Sequence, residues 1–184
     1  MIRGHLDPSN LNLDGSHAIA KKGGDAVAYQ GRKRAKTSNI LPVTDRNGFI
    51  IACTDIISGN HNDAWQLSDH LKSAFKFLKR LGIPIAHSFF NADAAFDTRA
   101  ARKICFNHSL IPNIAFNPRN RSRPKRGQKR LFNPLVYELR FAAERTFAWI
   151  DKFRALLVRH DRLARHFLAS HFIAFALINL RVIF

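Results

Sequence analysis

The sequence predicts an α/β fold, a mixed β-sheet with helices packed on its faces. Three observations carry that expectation. Apolar residues make up 46% of 184, sixteen of them Phe, enough for one hydrophobic core. Strand-like runs come first and then alternate with helical periods. No internal repeat of fixed period interrupts that order. The expected organisation is a single domain over residues 1–184.

Each element follows from local pattern. Leu11-Asn12-Leu13 alternates just before Asp14-Gly15, so a strand is expected almost at once. "AKKGGDAVAYQGRKRAKTSN" (20–39) is glycine-rich and basic, which predicts an exposed loop. "NILPVTD" and "GFIIACTDII" flank Arg46-Asn47-Gly48, and Asn-Gly between β-branched runs signals a hairpin. Apolar residues at 64, 67, 71, 74, 75 and 78 give 62–80 a helical period, opened by a capping Asn or Asp. "IPIAHSFFNAD" (83–93) reads as a buried strand. A short helix over 97–107 is expected with Asp97 as its N-cap, then a strand over 110–118. "RNRSRPKRGQKR" (119–130) holds seven basic residues and no acid, a solvated loop. From Pro134 the chain reads as helical to its end, broken near 160–162.

Charge narrows the function. Lys and Arg number 30 against 13 Asp and Glu, a formal net charge of +17. Such a surplus on a folding domain implies a polyanionic partner, most simply nucleic acid, an RNA-packing protein being the bland alternative. Cys53 and Cys105 have no zinc-ligand spacing and read as buried, reduced thiols. "FIAFALINL" (172–180) is about half the length of a membrane span and reads as a buried helix, so no membrane partner is expected. Motifs for nucleotide hydrolysis, zinc peptidase and serine hydrolase chemistry are missing. The nine histidines show no metal spacing and receive no role, and Trp149 is read as core packing rather than a base-stacking platform.

Carboxylates remain. Asp14 and Asp93 each follow a strand pattern, and Glu144 is one of two glutamates in the chain, on a helix between Arg140 and Arg145. Carboxylate oxygens suit Mg²⁺, and a pair of such ions can drive phosphodiester chemistry. Each residue also has a plain reading. Asp14 suits an Asp-Gly turn, Asp93 suits a cap, and Glu144 could pair with Arg140. That pair has the weaker orientation and contributes at most a few tenths of a kcal/mol.

The segment "YELRFAAERTFAWIDKFRALLVRHDR" (137–162) resembles the C-terminal signature of bacterial insertion-sequence transposases of the DDE class. There a Tyr, an Arg and the catalytic Glu recur at helical spacing, here on Tyr137, Arg140 and Glu144. "NLDGSH" is similar to the first catalytic Asp segment and "NADAAFDT" to the second. "ISGNHNDAWQL" (57–67) resembles the G-N-x-x-D stretch between them. The resemblance implies an RNase H-like mixed sheet flanked by helices, with a C-terminal helical pair. It implies that Asp14, Asp93 and Glu144 are catalytic and hold two Mg²⁺ or Mn²⁺ ions. The implied reaction is cleavage of DNA strands at an element's ends and joining of the freed 3′-OH to target DNA. The implied partners are double-stranded DNA, a second copy in a homodimer, and an upstream-frame portion of the transposase. The implied setting is the bacterial cytoplasm, at the nucleoid.

Tyr137 and Arg140 are expected to touch DNA phosphate near the cleavage point. The basic segments are expected to track the backbone, through Arg32, Lys33 and Arg34, and through Arg121, Arg123, Lys125 and Arg126. The family usually has a Lys seven residues after the Glu. Here that position is Asp151, and Lys152 or Arg154 is the candidate replacement. A helix-turn-helix that reads terminal repeats would be expected, and none precedes Asp14. An inactive remnant, a non-catalytic nucleic-acid-binding protein and a stand-alone nuclease are the alternatives.

Overall fold

Strand β1 (Asn10–Leu13, "NLNL") alternates amide and leucine, and that alternation sets up both faces of the central sheet. The computed structural model describes residues 2–117 and 131–183. The other strands are β2 (Ser16–Ala20), β3 (Ala28–Gln30), β4 (Ala35–Ile40), β5 (Pro42–Thr44), β6 (Ile50–Cys53), β7 (Ile57–Ser58), β8 (Phe89–Ala92), β9 (Ile111–Ile114) and β10 (Val158–Arg159). The helices are α1 (Leu67–Arg80), α2 (Arg99–Asn107), α3 (Pro134–Glu138), α4 (Phe141–Ile150), α5 (Arg154–Leu157) and α6 (Ala164–Ile183).

The first sheet runs β6-β5-β1-β8-β9. β1, β8 and β9 are parallel neighbours, while β5 and β6 join antiparallel, so the sheet is mixed as expected. A second sheet runs β10-β2-β4-β3, with β7 on β4. β1 passes into β2, and β4 into β5, with short interruptions, so two strand pairs run from one sheet into the other. Asp14-Gly15 is the interruption between β1 and β2.

Leu11 and Leu13 on β1, with Phe90 and Ala92 on β8, meet Leu71, Ala74, Phe75 and Leu78 of α1 and Ala101, Ile104 and Cys105 of α2. This is the larger core. A smaller one joins Ala18, Ile40 and Ile50 to Ile150, Leu156, Phe167, Ala174, Phe175 and Ile178 of the C-terminal helices. α4 and α6 pack together in it, the helical pair the C-terminal pattern led one to expect. Both thiols are free, and burial pushes each up to about 12.

Five expectations need correction. The helix expected over 62–80 opens only at Leu67, after Gln66, with no side-chain cap. The loop expected over 20–39 holds β3 and most of β4, paired antiparallel; only its turns are open. α2 is capped by Thr98, whose hydroxyl accepts from Ala101 N at 3.1 Å. Asp97 instead pairs with buried Arg102 at 2.9 Å, and Arg102 also donates to the Ile114 carbonyl. The helix expected from Pro134 breaks twice before 160. Leu139, Arg140 and Ala142 bond back three residues rather than four, a tightened turn between α3 and α4. Tyr137 and Glu144 therefore stand on different helices. Finally, α6 is buried on one face only. Phe172, Ile173, Leu177 and Leu180 are exposed. Among the described residues no helix is long and apolar enough to cross a membrane.

Candidate active site

Leu13 and Ala92 are register partners on the parallel strands β1 and β8. The next residues, Asp14 and Asp93, therefore leave the sheet side by side at its carboxyl end, their backbones about 5 Å apart. The carboxyl end of parallel strands is where open α/β sheets build their sites. Strand alternation gives the two aspartates a common face with Asn12 and Asn91, opposite the leucines.

On that face lies the α3–α4 segment. Arg140 is buried in the turn between the helices, and its Nη2 donates to Asp14 Oδ2 at 3.1 Å. Its Nη1 donates to the Tyr137 hydroxyl at 2.6 Å, and its guanidinium lies 5.1 Å from that ring's centre. Arg140 Nε is buried with no partner among the described residues. Asp14 also accepts from Gly15 N at 2.8 Å. Burial holds the Asp14 carboxyl above its ordinary value; the Gly15 N–H and Arg140 pull it down, and the Asp93 and Asp63 charges push it up. Asp93 has a second job, capping the following turn through Ala95 N at 2.8 Å.

Asp63 is a third carboxylate at this edge that sequence reasoning left without a role. It lies in the G-N-x-x-D stretch, where Asn39 Nδ2 donates to its Oδ1 at 2.8 Å and His17 Nε2 stands at 3.3 Å. His17 and Asn39 are cross-strand partners on β2 and β4, so they clamp one carboxylate between them. The His17 contact, then Asn39 and Arg32, hold Asp63 below the usual carboxylate range. A Cβ on Gly15 would stand 3.1 Å from Asp63 Oδ1, so the stretch packs directly on the Asp14-Gly15 turn.

Glu144 sits one helical turn beyond Arg140, exposed on α4. α4 is held from below by Thr146, whose hydroxyl donates to the Gly48 carbonyl at 2.7 Å. Among the described residues no three His, Cys, Asp or Glu side chains stand close enough to hold a metal ion. The strand register thus brings Asp14 and Asp93 side by side, while Glu144, exposed on α4, completes no three-residue cluster with them. The donor set still suits a hard divalent cation: all are carboxylate oxygens, and Asp14 already bears the repulsion of two acidic neighbours.

Of the expected DNA contacts, Arg32, Lys33 and Arg34 occupy the exposed β3–β4 turn, and Lys33 Nζ reaches the His17 carbonyl at 3.5 Å. That turn adjoins the Asp63 side of the site. Lys152 lies 3.9 Å from the centre of the Trp149 ring, and Arg181 lies 3.6 Å from it. Trp149 is half-buried beside the smaller core. Arg121, Arg123, Lys125 and Arg126 fall outside the described residues, as does the loop 119–130.

Residues 10–179 match the family described as DDE superfamily endonuclease. The chain belongs to that family. No curated protein matches the sequence. Among solved structures this chain is similar to the piggyBac transposase in a synaptic complex with hairpin DNA, at 12% identity and a TM-score of 0.61, covering 95% of this chain and 46% of that one. It is also aligned with the Mos1 transposase paired-end complex, at 13% identity and a TM-score of 0.42, covering 98% and 55%. The piggyBac likeness shows an RNase H-like fold for this chain, which spans about half the length of these solved transposases.

Proposed function

We infer that this chain is a transposase catalytic domain, occupying residues 1–184, that cleaves DNA strands and transfers the freed 3′-OH to a target. The observation that carries the reading is the placement of Asp14 and Asp93 at neighbouring parallel strand ends, with Arg140 donating to Asp14. Membership of the DDE endonucleases supports a nuclease-type reaction, and the piggyBac fold neighbour holds DNA.

Asp14, Asp93 and Glu144 would hold Mg²⁺ or Mn²⁺. When bound, a pair of such ions activates the attacking oxygen and stabilises the leaving oxygen of a phosphodiester. The chain's own groups do the rest. Arg140 and Tyr137 present a cation and a hydroxyl beside Asp14, where a phosphate oxygen can take over the guanidinium's contact. Arg32, Lys33 and Arg34 line the approach and hold the DNA backbone through charge. Asp63, clamped by His17 and Asn39, fixes the turn that carries Asp14.

One observation favours a second reading, a DNA-binding protein without catalysis: Glu144 is exposed and, among the described residues, forms no three-residue metal cluster with the aspartates. One experiment decides between them. Mn²⁺-dependent nicking of supercoiled DNA is measured for the wild type and for Glu144→Gln and Asp93→Asn. The catalytic reading expects nicking that both variants lose, with salt-sensitive DNA binding intact. Nicking that survives both substitutions, or none in the wild type, sinks it.

A further inference from the structure

The face of the central sheet that carries Asp14 and Asp93 is not apolar. Asn12, Asn91 and Asn113 are register partners on β1, β8 and β9, and all are buried, as is Asn10. Their side chains are joined: Asn113 Nδ2 donates to Asn91 Oδ1 at 2.7 Å, and Asn91 Nδ2 reaches Asn10 Oδ1 at 2.7 Å and Asn12 Oδ1 at 3.0 Å. Four buried amides are costly unless each finds partners. A sheet that needed only to bury α3 would do so better with Val or Ile.

Asn113, the outer member, and the central Asn91 both also face the start of α3. Asn113 Oδ1 accepts from Asn133 N at 2.7 Å, and Asn113 Nδ2 donates to the Asn133 carbonyl at 3.0 Å. The side-chain amide thus engages both backbone groups of one residue. Asn91 Nδ2 stands 3.2 Å from the Val136 carbonyl. Asn133 is itself the N-cap of α3, its side chain accepting from Val136 N at 3.2 Å. Apolar packing is indifferent to a small slide or rotation of the helix; these bonds are not. Tyr137 lies one turn beyond Asn133, and Arg140 two.

We propose that Asn91 and Asn113 are positioning residues: the amide ladder fixes α3 in register on the sheet and thereby sets Arg140 against Asp14. The ladder makes completion of the site conditional on the docking of one short helix. The strand ends supply the carboxylates, and the helix brings the cation only when the amides read its first turn. This rests on the catalytic reading above for its consequence, but not for its geometry.

The test uses Asn113→Leu, which keeps the side chain's branched shape and heavy-atom count and removes the bonds, with Asn113→Ser as a smaller change should the leucine variant fail to fold. Backbone hydrogen exchange over residues 133–140 is followed alongside that of β1 and α1. Loss of protection over 133–140, with β1 and α1 unchanged, is the expected result; unchanged protection there in a folded variant overturns the proposal. Nicking is then compared in Asn113→Leu, Arg140→Ala and the double variant. The ladder acting through Arg140 lowers kcat about 10–100-fold in the single variant without raising KM for DNA. The double variant then falls no further than Arg140→Ala, whereas additive losses overturn the link to Arg140. Absence of nicking in the wild type would defeat the catalytic reading and leave the exchange result to judge the ladder.

Discussion

Arg140 Nη2 donates to Asp14 Oδ2 at 3.1 Å, joining residues 126 positions apart in the chain. The pair ties the C-terminal helices to the first strand end. It is also imbalanced, because Arg140 Nε is buried without an acceptor among the described residues while Asp14 is about one-third exposed. Replacement by Met removes an ion pair and an unpaired donor together. Arg140→Met should therefore change stability by no more than about 1 kcal/mol, well below the roughly 3–5 kcal/mol of breaking a fully buried pair. Denaturant midpoints check this. Nicking by the same variant should fall by about two orders of magnitude.

Asp14→Asn tests the electrostatics. The folded carboxyl titrates above its ordinary value near 3.8, chiefly through burial. The folded state therefore holds a proton that the unfolded chain has released. Stability falls as pH rises from the ordinary value through the raised one, and at neutral pH the ionised form carries a cost. The amide keeps an acceptor for Gly15 N and removes the charge, giving up the Oδ2 contact with Arg140. Asp14→Asn should be more stable than wild type at pH 7, by about 0.5–2 kcal/mol. The gain should vanish towards pH 3.8 and below. Thermal or denaturant unfolding across pH reads it directly, and a gain that persists in acid would contradict the assignment.

Gly59 opens the stretch that carries Asp63. A Cβ there would overlap the side-chain hydroxyl and the backbone carbonyl of Thr37, a buried residue of β4. Gly59→Ala must push the stretch off the sheet, at a cost of about 1–3 kcal/mol. Because Asp63 sits against Gly15, the variant should lose nicking beyond what its lower melting temperature explains at the assay temperature.

DNA binding by the β3–β4 turn should be read from its salt dependence. Each phosphate contact contributes about 0.9 to the slope of log K against log salt. Replacing Arg32, Lys33 and Arg34 by Ala should flatten that slope by up to about 2.7. An unchanged slope would remove the turn from the DNA path.

Much of the site could be read in the chain because its parts are local. A strand pattern followed by Asp marks a strand end, and Asp14 and Asp93 fall where that pattern stops. Asn47-Gly48 similarly marked the β5–β6 hairpin, with Gly48 at φ 93°. What escaped depended on distant partners. β3 and β4 lie in a glycine- and lysine-rich stretch whose strand character comes from pairing rather than propensity. His17 has no metal spacing, and its partner Asp63 is 46 positions away. The asparagine ladder left a trace, an Asn at every second place in "NLNL" and one near the end of each of two later strands. Read singly, those residues look like turn formers, and only their register makes them a network.

The pairing of Leu13 with Ala92 has a consequence for how this chain can vary. Strand side chains alternate, so deleting one residue within β8 would rotate Asp93 to the leucine side and drive Asn91 into the core against α1. Substitutions that keep size and polarity can be absorbed in these strands, whereas a change of length by one cannot. The spacing from Phe89 to Asp93 should therefore be among the least elastic intervals in the molecule, and the turns on either side of β3 among the most tolerant of added residues.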